Sequence, residues 1–187
     1  MSPAKKSTTR NSTAKKPASK KSAGKKSASK KPASKLIGSA RSRRRVRDIT
    51  TRVLAHVKDD ASTEAAPILG VGVADVRNMR QGNKVSVPIL LKMIRVGRFD
   101  PRSIIEGPKL RKLRSARSVR GAQQRLVDAR VCKLACTRPG KEWVRLTGLS
   151  IRSAYGLRSA SGAHVTLYTL LGFLDAGHTI DELIFGS

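Results

Sequence analysis

Acidic residues are scarce in this 187-residue chain: 12 Asp and Glu stand against 40 Lys and Arg, for a formal net charge of +28. Residues 1–47 carry 17 of those basic side chains and no acid. Such a chain attracts polyanions and repels copies of itself. Aromatic residues make up only 3%, so aliphatic side chains must build any core, and stacking platforms for unpaired bases are few. There are two cysteines, Cys132 and Cys136. Their i, i+4 spacing places both on one helix face and suits a disulfide poorly. Without a second Cys or His pair they make no zinc set, and no metal or cofactor is expected. The most apolar stretch, Val165 to Leu174, is too short to span a bilayer and contains Thr and Tyr. The basic N-terminus has no apolar segment behind it, so no secretory leader, no membrane partner and a cytoplasmic location are expected. His56, His164 and His178 have no credible carboxylate or cysteine partner in the sequence, and no phosphate-binding glycine loop occurs. Catalysis is not expected.

What is present divides in two. Residues 1–45 are almost entirely Lys, Ser, Ala, Pro and Thr. The unit KKPASK begins at Lys15 and again at Lys30, with KKSAGK and KKSASK between. Nothing here has apolar periodicity, and too little surface can be buried to offset the entropy of ordering. A disordered basic arm is expected, with lysine pairs spaced to follow a phosphate backbone without reading bases. The composition resembles the tails of linker histones and of bacterial histone-H1-like proteins.

The remainder repeats one pattern twice. LGVGVADVRNMRQG (Leu69 to Gly82) aligns without gaps on TGLSIRSAYGLRSA (Thr147 to Ala160). Gly70 falls opposite Gly148, Val73 opposite Ile151, Val76 opposite Ala154 and Met79 opposite Leu157. With one residue inserted, Leu91 falls opposite Leu170, Ile94 opposite Phe173 and Ile105 opposite Ile184. Upstream, Ile49, Val53 and Val57 match Val127, Val131 and Ala135, which puts Cys132 at a core position and Cys136 at the surface. Each copy breaks into about five short helices. In the first, Ile49, Val53, Leu54 and Val57 have helical spacing. Ser62-Thr63 precede a helix ending near Leu69, and Gly70 supplies a tight turn. A helix from Val73 to Arg80 stops at Gln81-Gly82, another starts near Ser86 with Pro88 in its first turn, and a last follows Asp100-Pro101. In the second copy Leu126, Val127, Val131 and Leu134 are expected to face inward, Trp143 and Leu146 lie on the next helix, and Thr179 with Glu182 makes a capping box.

Two short helices around a glycine turn, followed by an apolar helix, make a helix-turn-helix pattern. Residues Ala65 to Val71 and Arg77 to Lys84 resemble the Cro/C1-type (XRE-like) helix-turn-helix family, and the second copy follows the same plan. The likeness covers roughly Ile49 to Gly107 and Leu126 to Gly186. It implies an all-α fold: a basic arm (1–45), a five-helix domain (46–107), a basic linker (108–123) and a second five-helix domain (124–187). It also implies that the turn and the start of each third helix approach the major groove. Val73 and Ala74 offer only apolar contact there, a departure from the polar residues usual in the family, whereas base readout uses polar forks.

The residues expected to meet DNA are therefore Arg77, Asn78, Arg80 and Lys84 in copy one, and Ser150, Arg152, Ser153, Tyr155 and Arg158 in copy two. Lys109, Arg111, Lys112 and Arg114 in the linker complete the set. Double-stranded DNA is the expected partner, with RNA ranked lower; the oligomeric state stays open, and the tandem copies suggest an intramolecular pseudo-dimer. A nucleoid-associated, DNA-organising role of low sequence specificity is the leading expectation. A sequence-specific transcription regulator is the alternative.

Overall fold

The computed structural model describes residues 40–113, 119–159 and 164–186. Among them the chain is all-helical, with ten α-helices and one 3-10 turn. Copy one holds α1 (Ala40–His56), α2 (Ser62–Leu69), α3 (Val73–Arg80), α4 (Val87–Arg95) and α5 (Pro101–Ile105). Copy two holds α6 (Gln124–Cys136), α7 (Gly140–Thr147), α8 (Ile151–Arg158), α9 (Leu167–Asp175) and α10 (Ile180–Ile184), preceded by the 3-10 turn Val119–Gly121. The arm expected over residues 1–45 lies outside the described residues up to position 39. Its last part is helical, because α1 begins at Ala40. Ser42 and Val46 are buried on that helix, and Arg45 pairs with Asp175 of α9 at 2.7 Å.

Local chemistry explains most helix ends. Gly70 and Gly148 both cap their helices in the left-handed region, at φ 70° and 66°. At Gly70 a Cβ would also lie 2.1 Å from the Gly97 nitrogen, so the α2–α3 turn and the end of α4 can meet only where neither residue has a side chain. The Asp100 carboxylate accepts from the Arg102 and Ser103 amides, opening α5. The Thr179 hydroxyl accepts from the Glu182 amide at 3.1 Å. The second half of that capping box does not form, because the Glu182 carboxylate instead meets His178 Nδ1 at 3.0 Å.

The two copies keep one register through the third helix: α2 and α7, like α3 and α8, start 78 positions apart. The fourth helices then start 80 apart and the fifth 79. This corrects the single-insertion alignment. Leu91 corresponds to Leu171, and Phe173 corresponds to Met93. The residue removed comes out of the turn after the fourth helix, where Arg98 and Gly177 take the positive φ in each copy. Bonds repeat as well. Val85 N–H donates to the Thr50 hydroxyl at 3.0 Å, and its counterpart Val165 N–H donates to the Asp128 carboxylate at 2.9 Å. Arg52 and Arg130 each donate at 2.6 Å to a carbonyl in the last turn of their copy's fifth helix, those of Ile104 and Ile184.

The apolar faces of the described helices close into one core that runs through both copies. The first helix of each copy packs on the fourth helix of the other, α1 on α9 and α6 on α4. Arg102 of α5 pairs with Asp181 of α10, and these two residues occupy equivalent positions in the repeat. The centre of copy two is aromatic: Trp143 and Phe173 stack at 4.4 Å, and the indole N–H donates to the Ala135 carbonyl at 2.9 Å. Val127, Val131 and Ala135 are buried as expected. Leu126 is not, being 42% exposed, and Leu134 is half-buried. Cys132 packs partly against the core and Cys136 is exposed; both are free thiols. Burial and the nearby Asp128 push the Cys132 thiol up from its ordinary range.

Candidate nucleic-acid interface

The Gly70 turn delivers α3 with Val76 and Met79 in the core. Helical periodicity then leaves Ala74, Arg77, Asn78 and Arg80 on the outer side. The Arg77 and Asn78 side chains are exposed and make no hydrogen bond or ion pair with other described residues. Arg80 is engaged otherwise. Its guanidinium donates to the Val57 and Asp60 carbonyls at 2.9 and 2.6 Å and to the Ser62 hydroxyl at 3.1 Å. It therefore clasps the α1–α2 loop. At the start of α3 stands Asp75, whose carboxylate accepts from Gly72 N–H at 3.1 Å and from Lys92 at 2.9 Å. Lys92 holds the Asp75 carboxyl below its ordinary pKa. The first turn of α3 thus offers no cation and no side-chain donor. Lys84, after the helix, is exposed, and its ammonium reaches the Tyr168 hydroxyl in copy two at 3.1 Å.

Helix α8 is built on the same plan, with Ala154 and Leu157 in the core, but its outer face differs. Ser150 caps it, accepting from the Ser153 amide at 3.1 Å, and the two hydroxyls lie 2.8 Å apart. Arg152 is exposed and unengaged by other described residues. Ile151 is 60% exposed and Tyr155 46%. The Tyr155 ring rests on Gly140, where a Cβ would meet it at 3.1 Å. Arg158 is half-buried, and its Nε is enclosed without a hydrogen-bond partner.

The linker residues divide too. Lys109 is exposed beside a cavity of about 620 Å³ bordered by Arg52 and His56 of α1. Arg111 is exposed, but its backbone is tied to copy one through the Asp100 amide at 2.9 Å and the Ser103 hydroxyl at 3.0 Å. Lys112 donates to the Gly97 and Ile68 carbonyls and sits 3.7 Å above the Phe99 ring. Burial lowers its pKa from the ordinary lysine value. The start of the linker is therefore strapped onto the first copy. Arg114 lies outside the described residues.

Sequence reasoning missed further exposed cations. Arg47 lies on α1 and Lys141 and Arg145 on α7. The i, i+4 spacing of the last two on one helix was the available signal. It also left His164 and His178 without acidic partners, whereas His164 Nδ1 lies 3.3 Å from Asp128 and His178 Nδ1 3.0 Å from Glu182.

The acids are largely engaged within the fold. Asp75, Asp175, Asp181 and Glu142 pair with Lys92, Arg45, Arg102 and Arg138, while Asp100 and Glu64 accept backbone amides. Few carboxylates remain to neutralise the exposed Lys and Arg, so the outer surface carries net positive charge. Among the described residues no helix is long and apolar enough to cross a membrane, and no group of His, Cys, Asp and Glu could hold a metal. The chain matches no protein-family model, and no curated protein or solved structure is significantly similar to it.

Proposed function

We propose that this chain binds duplex DNA with low sequence specificity and organises it. The observation that carries the reading is the unengaged cationic surface on the two helices that follow glycine turns, Arg77 on α3 and Arg152 on α8, in a fold whose acids are mostly paired internally. Cations without internal partners are free to release counterions from phosphates, which supplies affinity independent of sequence. The lysine-rich arm adds the same term over a longer stretch of backbone. The contact of each copy's first helix with the other's fourth supports an intramolecular pseudo-dimer, in which one groove contact raises the effective concentration of the second.

The exposed Ile151, Arg152 and Ser153 favour a second reading, a sequence-specific regulator. RNA binding has less support. Among the described residues Tyr155 is the one exposed large aromatic, and single-stranded RNA is read by stacking on such rings. The test is a competition at physiological salt among random-sequence duplex DNA, RNA, and a duplex selected for tight binding. The proposal expects random duplex DNA to outcompete RNA, with a selected site gaining less than about 10³-fold. A larger gain favours the regulator, and preference for RNA contradicts both DNA readings.

A further inference from the structure

The two glycine-turn helices have diverged at each outward position of their first turn. Gly72, Val73, Ala74 and Asp75 correspond to Ser150, Ile151, Arg152 and Ser153. Val73 is half-buried against the core, whereas Ile151 is 60% exposed. Arg77 corresponds to Tyr155, itself 46% exposed. Copy two therefore keeps an apolar pair one turn apart in water, beside an unengaged arginine, in a molecule of net charge +28.

An exposed apolar pair on so cationic a surface calls for an occupant. A stable protein interface buries about 800 Å² per partner, far more than two side chains supply. The major groove of DNA is polyanionic and carries one apolar group, the C5 methyl of thymine. Its charge complements Arg152 and its methyl complements Ile151 and Tyr155. On α3 the corresponding turn has a withdrawn valine and the Asp75 carboxylate, which cannot serve there.

We propose that α8, and not α3, reads thymine through its methyl group, with Ile151 as the contact and Tyr155 as the second apolar wall. This rests on the reading that the chain binds duplex DNA. Copy one then holds phosphates through Arg77, and copy two adds a preference for thymine-rich steps within otherwise unspecific binding.

The experiment uses the full chain and two duplexes of one A·T-rich sequence, with thymine in one and deoxyuridine in the other, so that only the methyl groups differ. The thymine duplex should bind about fourfold more tightly for each methyl buried, the change expected for one buried carbon. Ile151→Ser, at an exposed position where the unfolding midpoint should not move, should bring the ratio to one. Arg77→Ala should weaken binding to both duplexes equally and leave the ratio intact. Equal affinity of the wild-type chain for the two duplexes overturns the inference, and so does a ratio that survives Ile151→Ser. Failure to bind either duplex would instead remove the DNA-binding reading itself.

Discussion

Copy one and copy two share a helix plan but distribute their chemistry in opposite ways. Copy one buries Ala65 where copy two has Trp143, and Met93 where copy two has Phe173. Two of its cations are spent on its own backbone: Arg80 clasps the α1–α2 loop and Lys112 straps the linker. Copy two stacks its aromatics in the core and leaves Ile151, Arg152 and Tyr155 outside. The lesson is that one repeat can preserve a backbone while moving its adhesive residues between interior and surface. Turn glycines tolerate little change, since a Cβ at Gly70 would collide with Gly97, whereas outward positions on α3 and α8 are free to diverge.

That contrast can be broken by mutation. The largest expected effect is on the aromatic centre. Trp143→Ala should destabilise the fold by roughly 3–5 kcal/mol, measured as a lower urea midpoint. A loss under 1 kcal/mol would show that copy two does not depend on its indole. Next, the two arginines of α3 should separate. Arg80→Ala should lower stability by about 1 kcal/mol through the hydrogen bonds lost to the Val57 and Asp60 carbonyls, while Arg77→Ala should leave the unfolding midpoint in place. Arg77→Ala should reduce the magnitude of the salt slope of duplex binding by about one. If both variants behave alike in both assays, the distinction between clasp and phosphate contact is wrong.

Arg152→Ala should weaken duplex binding more than Arg158→Ala, since the Arg158 side chain is half-enclosed. Equal losses would return Arg158 to the interface. The smallest effect concerns Asp75. Its pKa is lowered in the folded state chiefly by Lys92, so the stabilisation is present above the ordinary Asp value and is lost as pH falls through the lowered one. Asp75→Asn should therefore cost under about 1 kcal/mol at neutral pH, as for a partly exposed pair. The difference from wild type should shrink in urea titrations as pH falls below the ordinary Asp range, and a difference that does not change with pH would contradict the Lys92 pairing.

Much of the fold could be read from the residues themselves. The glycine turns at Gly70 and Gly148, the helix spanning Val73 to Arg80, and the Asp100 and Thr179 caps each rest on local chemistry, which sequence carries directly. The start of α1 was hidden because Ala40 to Arg45 shares the composition of the arm, and its stabilising partner Asp175 lies 130 residues away. The register of the fourth helices was ambiguous because adjacent leucines, Leu90-Leu91 and Leu170-Leu171, satisfy two alignments equally well. The candidate interface was legible in residue type but not in role. Arg80, Lys112 and Arg158 carry the same charge as Arg77 and Arg152, and only three-dimensional neighbours decide whether a guanidinium meets a carbonyl or a phosphate. That Ile151 stands outward while Val73 is drawn toward the core depends on packing, which the paired sequence positions do not distinguish.

The most direct measurement is the affinity of the full chain for a random-sequence duplex across a range of salt concentrations, repeated with Arg77→Glu and Arg152→Glu together. The account predicts tight binding at low ionic strength, a steep linear fall of log affinity with log salt, and a shallower line for the double variant. Affinity that is indifferent to salt, or a double variant whose line superimposes on wild type, would contradict it.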